Sequence, residues 1–318
     1  MVFSSLVFLF FFLAVNIAVY YVVPVKARNA VLLVTSIAFY GWGEPLYIAV
    51  MIYSVLVAYV LGYFVGKHRQ TNKKRARLCM IVSTVLNLAA LLFFKYTNFF
   101  AETFGLEPIE SFTMTNGAII LTFTVLLSAC AAAALLLGKR SRARAAGAIS
   151  IGIVAAAAVL FYFIFEKTGA AGAFLYSEYT VAFTLPIGIS FYTFQIMSYT
   201  FDIYRGDADA QKSIVPFAAY VTLFPQLIAG PIVRYKDIDS QLSSRTVSID
   251  KFARGVRTFT AGLAKKLILA DGCAVLYDYL CNVSSYEPTV LGAWAAVICF
   301  SFQIYFDFSG YSDMAIGL

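Results

Sequence analysis

The chain has 318 residues, of which 61% are hydrophobic and 13% charged, about half the charge of an ordinary soluble domain. With a mean hydropathy of +0.80 and 17% aromatic residues, this composition excludes a soluble globular class and leaves room for about eight or nine spans of ~20 residues. The net charge of +7 sits in short loops between apolar runs, a membrane-topology pattern that gives nucleic acid no part in the reading.

The first apolar run, Ser4–Val23, has no cationic leader and no small-residue cleavage site, and it is too long for a signal peptide. It reads as an uncleaved first span. Further runs follow at Ala30–Tyr40 (continuing through Gly41-Trp42-Gly43 before Glu44-Pro45), Leu46–Val65, Leu78–Phe94, Ala118–Leu137, Ala146–Phe165, Val181–Phe201, Ile214–Ile232 and Val290–Phe306. The loop charges alternate. Lys26 and Arg28 are followed by Glu44 alone, then by Lys67, Arg69, Lys73, Lys74, Arg75 and Arg77. Glu102, Glu107 and Glu110 face only Lys95; next come Lys139, Arg140, Arg142 and Arg144, and then Glu166, Lys167 and Glu178. Because basic loops stay cytoplasmic, the pattern predicts a multi-pass protein with its N-terminus outside, and it puts Asp202, Arg205, Asp207, Asp209 and Lys212 in the cytoplasm.

The stretch 251–282 mixes cations with Phe252, Val256, Phe259, Leu263, Leu267 and Ile268 three to four residues apart. This predicts an amphipathic helix on the cytoplasmic interface, at least as far as Lys266. A last span over Leu267–Leu280 is the alternative. Cys79, Cys130, Cys273, Cys281 and Cys299 show no paired spacing and read as small core residues, with neither disulfide nor metal expected. Alanine runs at 131–134 and 155–158 read as helix-packing surfaces.

Three segments carry polar groups that ordinary spans avoid. In Leu185–Arg205, Pro186 and Gly188 bend or break the helix, while Gln195, Tyr199 and Asp202 share a face and Asp202 can pair with Arg205. In Leu223–Arg234, Pro225 and Gly230-Pro231 flank too few residues for a span, which predicts a broken or re-entrant element with Gln226 and Arg234 at its ends. In Gln303–Leu318, Gln303, Asp307 and Tyr311 recur every four residues, next to Ser312 and Asp313. Such a stripe is expected to face protein or a water-filled cavity, and an intramembrane carboxylate is a functional-site hypothesis by default. The chain stops on this segment, so the expectation is the N-terminal part of a longer protein. The fold class expected is all-α: one domain, 1–318, a polytopic integral membrane helix bundle with broken or re-entrant segments and an interfacial amphipathic helix.

Six blocks in order, FYGWGEP at Phe39–Pro45, FFKYTNFF at Phe93–Phe100, LPIGISFYTFQ at Leu185–Gln195, FPQLIAGPIVR at Phe224–Arg234, GLAKKLILAD at Gly262–Asp271 and FQIYFDFSGYSDMAIGL at Phe302–Leu318, resemble the membrane-bound O-acyltransferase (MBOAT) family in its alginate O-acetylation branch. The resemblance implies helices around a tunnel, through which an acyl group activated in the cytoplasm reaches a hydroxyl at or beyond the outer face of a bacterial cell membrane. It implies an intramembrane histidine as general base. That histidine lies beyond the equivalent of Leu318, and the one histidine here, His68, belongs to a basic loop. No catalytic residue is therefore assigned, and the 318-residue chain is expected to be inactive.

Gln303, Asp307, Tyr311, Ser312 and Asp313, and after them Gln195 and Arg234, are the acyl-path candidates. The alternative is that they satisfy broken-helix backbone. Acetyl-CoA or another activated acyl donor is the implied cosubstrate, with no bound cofactor and no metal. The implied partners are membrane lipid, an extracytoplasmic acyl-transfer protein and a polysaccharide acceptor. Residues 113–167 form an extra peripheral hairpin in this reading. Two other classes compete: a transporter or flippase, whose broken helices look alike, and a non-catalytic subunit or pseudogene product.

Overall fold

The computed structural model describes residues 3–115, 118, 119, 121, 122, 125, 178–227, 230, 233–243, 245, 247–282 and 289–318. The first apolar run winds as a π-helix over Val7–Phe12 and continues as α1 (Leu13–Val22). It stops at Val23, which turns extended ahead of Pro24, as the residue before a proline must. α2 (Arg28–Gly43) ends at Glu44-Pro45 in the same way. α3 (Ile48–His68) and α4 (Lys73–Thr103) follow. The Asn72 side chain caps α4 by accepting the Arg75 amide at 3.1 Å.

Next come β1 (Ser111–Thr115) and β2 (Glu178–Ala182), paired antiparallel with Ser111 opposite Ala182 and Thr115 opposite Glu178. Then α5 (Ile189–Arg205), α6 (Ile214–Thr222), α7 (Phe224–Leu227), α8 (Tyr235–Ser243) and α9 (Ile249–Ala264) follow, and α9 is capped by the Ser248 hydroxyl on the Lys251 amide. A π-helix over Lys265–Ala270 joins α9 to α10 (Asp271–Asn282), and α11 (Val290–Gly317) closes the described chain. Among the described residues α3, α4 and α11 are long and apolar enough to cross a membrane.

Among the described residues the architecture is all-α apart from the two-stranded ribbon, which was not among the elements expected from the sequence. The run expected as a span over Val181–Phe201 is a strand, a turn and a helix. Gly188 adopts φ 75°, a left-handed conformation that glycine takes without a Cβ penalty, and α5 begins only after it. The run Ile214–Ile232 is likewise no single helix: Leu223 turns extended and divides a nine-residue α6 from a four-residue α7. A Cβ on Gly230 would stand 2.5 Å from the Gln226 Cα, so the turn after α7 has room only for glycine. This is the broken element expected from Pro225 and Gly230. The basic loop around His68 shrinks, because α3 runs to His68 and stacks its ring on Phe64. Residues 249–282 are helical throughout. The span read at Ala146–Phe165 lies outside the described residues, as does the span read at Ala118–Leu137 except for residues 118, 119, 121, 122 and 125; of the hairpin 113–167 only these and residues 113–115 are described.

The chain divides into two compact units. One gathers Met1–Arg28, Phe224–Ile232 and Ser244–Leu318. Its core holds Phe3 stacked on Phe8 (4.5 Å) and on Tyr311 (4.7 Å), with Phe224 edge-on to Phe12 (5.4 Å). The other comprises Asn29–Leu223 and Val233–Ser243. There α3 packs against α4 and α5 so closely that a Cβ on Gly62 would lie 2.6 Å from the Tyr199 ring. Tyr199, Phe217, Tyr220 and Tyr235 form its aromatic centre, with ring centroids 4.4 to 5.4 Å apart for Tyr199–Phe217, Tyr199–Tyr235 and Tyr220–Tyr235.

Candidate functional site

Within the first unit, the helical path 249–282 crosses α11 antiparallel, backbone against backbone. A Cβ on Gly262 would stand 2.5 Å from the Gly310 carbonyl oxygen, and one on Gly310 would stand 2.7 Å from the Gly262 oxygen. The same reciprocal approach joins Gly255 and Gly317, at 2.5 and 2.7 Å. Both pairs are seven residues apart along their helices, two turns, so the four glycines make one seam. Small residues that let helices touch in this way are typical of association in lipid, where no hydrophobic driving force acts between helices.

The seam fixes where the carboxylates go. At about 100° per residue, Gly310 lies between Asp307 and Asp313 on the α11 surface. The ammonium of Lys265 donates to Asp313 Oδ2 at 2.5 Å and to Ser309 Oγ at 3.3 Å. Lys266 donates to Asp307 Oδ1 and lies 3.7 Å from Asp271. Each α11 carboxylate thus meets a lysine of the π-helical segment across the seam, one on either flank. The arrangement sets an ammonium against each carboxylate, so that neither is a lone charge on the helix.

The sequence-predicted candidates are therefore distributed differently from the expected single stripe. Asp307 and Asp313 are brought to the lysine pair. Tyr311 is half-buried with its ring on Phe3, and Ser312 is half-buried beside it in sequence. Gln303 sits on the seam side of α11, and its Oε1 is buried without a hydrogen-bond partner among the described residues. Gln195 and Arg234 belong to the other unit. Lys265, Lys266 and the four glycines escaped the sequence reading as site residues. The signal was present as two glycine heptads, but the partner helix lies some forty residues away in the chain.

In the second unit Gln195 is buried and donates to the Tyr220 carbonyl at 3.0 Å, and the Tyr220 hydroxyl donates to the Val233 carbonyl at 2.9 Å. Arg234 and Lys236 supply positive charge toward Asp202, whose carboxylate accepts the Lys236 amide. The expected Asp202–Arg205 pair is not formed, because Asp202 is turned into the core at 4% exposure. Tyr235 donates to Asp239 at 2.6 Å and accepts from Gln211 Nε2 at 3.1 Å. Burial, and then that carboxylate, hold its hydroxyl protonated well above the ordinary tyrosine range. The FYGWGEP block and the Tyr47 that follows it form a clamp: Glu44 Oε2 accepts the Ile187 amide at 2.8 Å, and the Tyr47 hydroxyl donates to Ala182 O and accepts from Thr184 N.

Arg69, read from sequence only as one topology cation, closes the C-terminal end of α5. Its Nη1 donates to Ile203 O at 3.2 Å and Ala208 O at 3.1 Å, and its Nη2 lies 3.5 Å from Asp209. Substituting Arg69→Ala is expected to cost about 2 kcal/mol, since hydrogen bonds from a charged donor contribute about 1.5–3 kcal/mol. Arg69→Lys should recover part of this. Thermal unfolding of the detergent-purified variants, followed by retention of the monodisperse peak, checks both.

Residues 205–318 match the family model of MBOAT, the membrane-bound O-acyltransferase family. The whole chain is 35% identical over 318 residues to the "Probable alginate O-acetylase AlgI" of Pseudomonas aeruginosa, covering 49% of that protein. It is 34% identical over 325 residues to the protein of the same name in Pseudomonas putida, covering 52% of it. It is 25% identical over 352 residues to the "Peptidoglycan O-acetyltransferase" of Helicobacter pylori, covering 53% of it. The chain thus spans about half the length of the curated relatives it matches. No solved structure matches it.

Proposed function

We propose that this chain, a member of the membrane-bound O-acyltransferase family, works in the transfer of an acetyl group from a cytoplasmic activated donor to hydroxyls of an extracytoplasmic polysaccharide. The observation that carries this reading is the 35% identity over 318 residues, covering the whole chain, to a relative named as a probable alginate O-acetylase. In this reading acetyl-CoA is the donor, and a protein outside the membrane passes the acyl group on to the acceptor. The Lys265–Asp313 and Lys266–Asp307 pairs hold carboxylates on a helix long enough to cross a membrane without the cost of a lone charge. Gln303, with its buried unpaired carbonyl oxygen, is the neutral acceptor beside them.

A hydroxyl needs a positioned base before it attacks an acyl carbon. The chain holds one histidine, His68, and it lies in the other unit, stacked on Phe64. The 318-residue chain by itself is therefore expected to yield no ester from labelled acetyl-CoA and deacetylated alginate. The natural gene, expressed in an alginate-producing bacterium whose own O-acetylase has been deleted, should restore acetyl esters on the exported polymer, read by proton NMR. A deletion strain that the Pseudomonas aeruginosa relative rescues and this gene does not would sink the polysaccharide reading. Movement of a substrate across vesicles with no ester formed would favour a transporter instead.

A further inference from the structure

A hydroxyl buried in a helix ordinarily donates to its own backbone. In the second unit Thr84, Thr103, Thr200 and Thr222 each do so, to the carbonyl four residues earlier, at 2.7 to 3.3 Å. Three hydroxyls of the same unit do not. Ser54 Oγ on α3, Ser83 Oγ on α4 and Thr193 Oγ1 on α5 are buried with no hydrogen-bond partner among the described residues. Asn87 Oδ1 on α4 shares this condition, while its Nδ2 donates to the Ser83 carbonyl at 2.8 Å. None of the four residues is more than 1% exposed.

Contacts along the three helices put these groups in one layer. Near the ribbon the Tyr47 ring meets that of Phe94 at 5.5 Å. Towards the other end of α3, Gly62 and Gly66 lie against Tyr199 and Ile203 of α5. Because α3 and α4 are joined by a short connection, residues 69–72, they run antiparallel. Two turns inward from Tyr47 and Phe94, Ser54 therefore stands opposite Asn87, with Ser83 one turn further along α4. The glycine contacts make α3 and α5 parallel, so Thr193 falls within two residues, about 3 Å, of the level of Ser54.

We infer that Ser54, Ser83, Asn87 and Thr193 form a binding site for internal water at the junction of α3, α4 and α5. The four groups share a layer yet make no direct bond across it, and such a gap between polar atoms is what a water spans. Asn87 Oδ1 can only accept, whereas each hydroxyl can donate or accept, so a molecule offering both satisfies the whole set. The set carries no charge, and a cation there would lack the counter-charge that buried ions need. Buried polar sites hold water with two to four partners, while apolar ones stay dry. The water thus ties together three helices, two of them long enough to cross a membrane.

The sign of one substitution tests this in the 318-residue chain purified in a neutral detergent. Thr193→Val keeps the shape of the side chain and removes its hydroxyl. Where that hydroxyl holds water, its loss leaves the water and Asn87 less well satisfied, and the thermal midpoint should fall by about 2–4 °C. Where it is a dry, unsatisfied group, its loss removes a desolvation cost and the midpoint should rise. Thr200→Val, whose hydroxyl is satisfied within its own helix, controls for the exchange of threonine for valine. A pulse of hydroxyl radicals generated by X-rays reads the water directly, because radicals also form at water held inside the protein. Met51 and Leu91, both buried and one turn from Ser54 and Asn87, should be oxidised in the wild type. Both should be oxidised several-fold less in Asn87→Leu, which fills the layer with apolar atoms. A raised midpoint for Thr193→Val, with Met51 and Leu91 unoxidised in the wild type, overturns the proposal. So does a wild-type midpoint raised by sodium chloride but not by choline chloride, with the rise lost in Thr193→Val, since the occupant is then a cation.

Discussion

Gly262→Leu is expected to abolish recovery of folded protein, while Gly272→Ala, ten residues further along the same helical path, is expected to raise stability. The contrast follows from what a side chain meets at each position. At Gly262 even a single Cβ would stand 2.5 Å from the Gly310 oxygen and 2.7 Å from the Met314 nitrogen, both of them backbone atoms that cannot rotate away. The two helices would have to separate, and that would remove Gly255 from Gly317 as well. Ordinary overpacking costs about 1–3 kcal/mol; a backbone seam with no flexible neighbour should exceed the top of that range. At Gly272 a Cβ meets nothing within 4 Å. Replacing glycine there within a helix should gain about 0.5–1 kcal/mol from the unfolded chain's lost freedom. Fluorescence-detected gel filtration after a heating series reads both. Equal midpoints for the two variants would refute the seam as the element that holds α11.

The second large effect is expected at the lysine–carboxylate pairs. Asp313→Asn leaves the Lys265 ammonium with Ser309 alone, and Asp307→Asn leaves Lys266 with Asp271. An uncompensated charge at the centre of a membrane helix costs about 2.5–3.5 kcal/mol. Removing both charges together leaves no lone ion. Lys265→Met combined with Asp313→Leu should therefore be much less destabilised than either single change, with a coupling of up to about 3 kcal/mol. The Asp307 side chain is 52% exposed and the Asp313 side chain 28%, so the coupling should be larger for the Asp313 pair. Thermal midpoints of the four proteins of each cycle, in the same detergent, decide it. Additive single effects would show that water, not the partner, satisfies each charge.

The parts of this fold that were legible in the sequence are those with a local cause. Pro24, Glu44-Pro45, Pro225 and Gly230 announce the breaks they make, because proline and glycine act on their own backbone and their immediate neighbours. The amphipathic period of 251–282 is also local and was readable as a helix. The strand Glu178–Ala182 was not, since a short apolar run carries no periodicity able to separate strand from span. Pro186 and Gly188 suggested a kink; only the left-handed φ of Gly188 shows that the helix starts there.

The site was half legible. That Asp307 and Asp313 must face protein or water rather than lipid followed from their chemistry alone. Which groups meet them depends on a partner helix more than forty residues away, and Lys265 and Lys266 carried the same sequence signal as any interfacial cation. Arg69 was hidden for the same reason. A positive charge at the end of a spanning helix predicts a topology, and its second use as the anchor of α5 is a matter of tertiary contact.

The ribbon of β1 and β2 has a practical consequence. Its register sets Thr115 beside Glu178, and the Glu110 carbonyl accepts the Phe183 amide just outside it, so the two ends of the connection between the strands stand at neighbouring points. Two strand ends already side by side are what a two-residue hairpin turn requires, and a shorter connection closes at lower entropic cost. The two ends of the ribbon can accordingly accept an inserted domain. A soluble reporter or a rigid fiducial domain grafted there would be carried on a stem tied to the start of α5 through Glu44 and Tyr47.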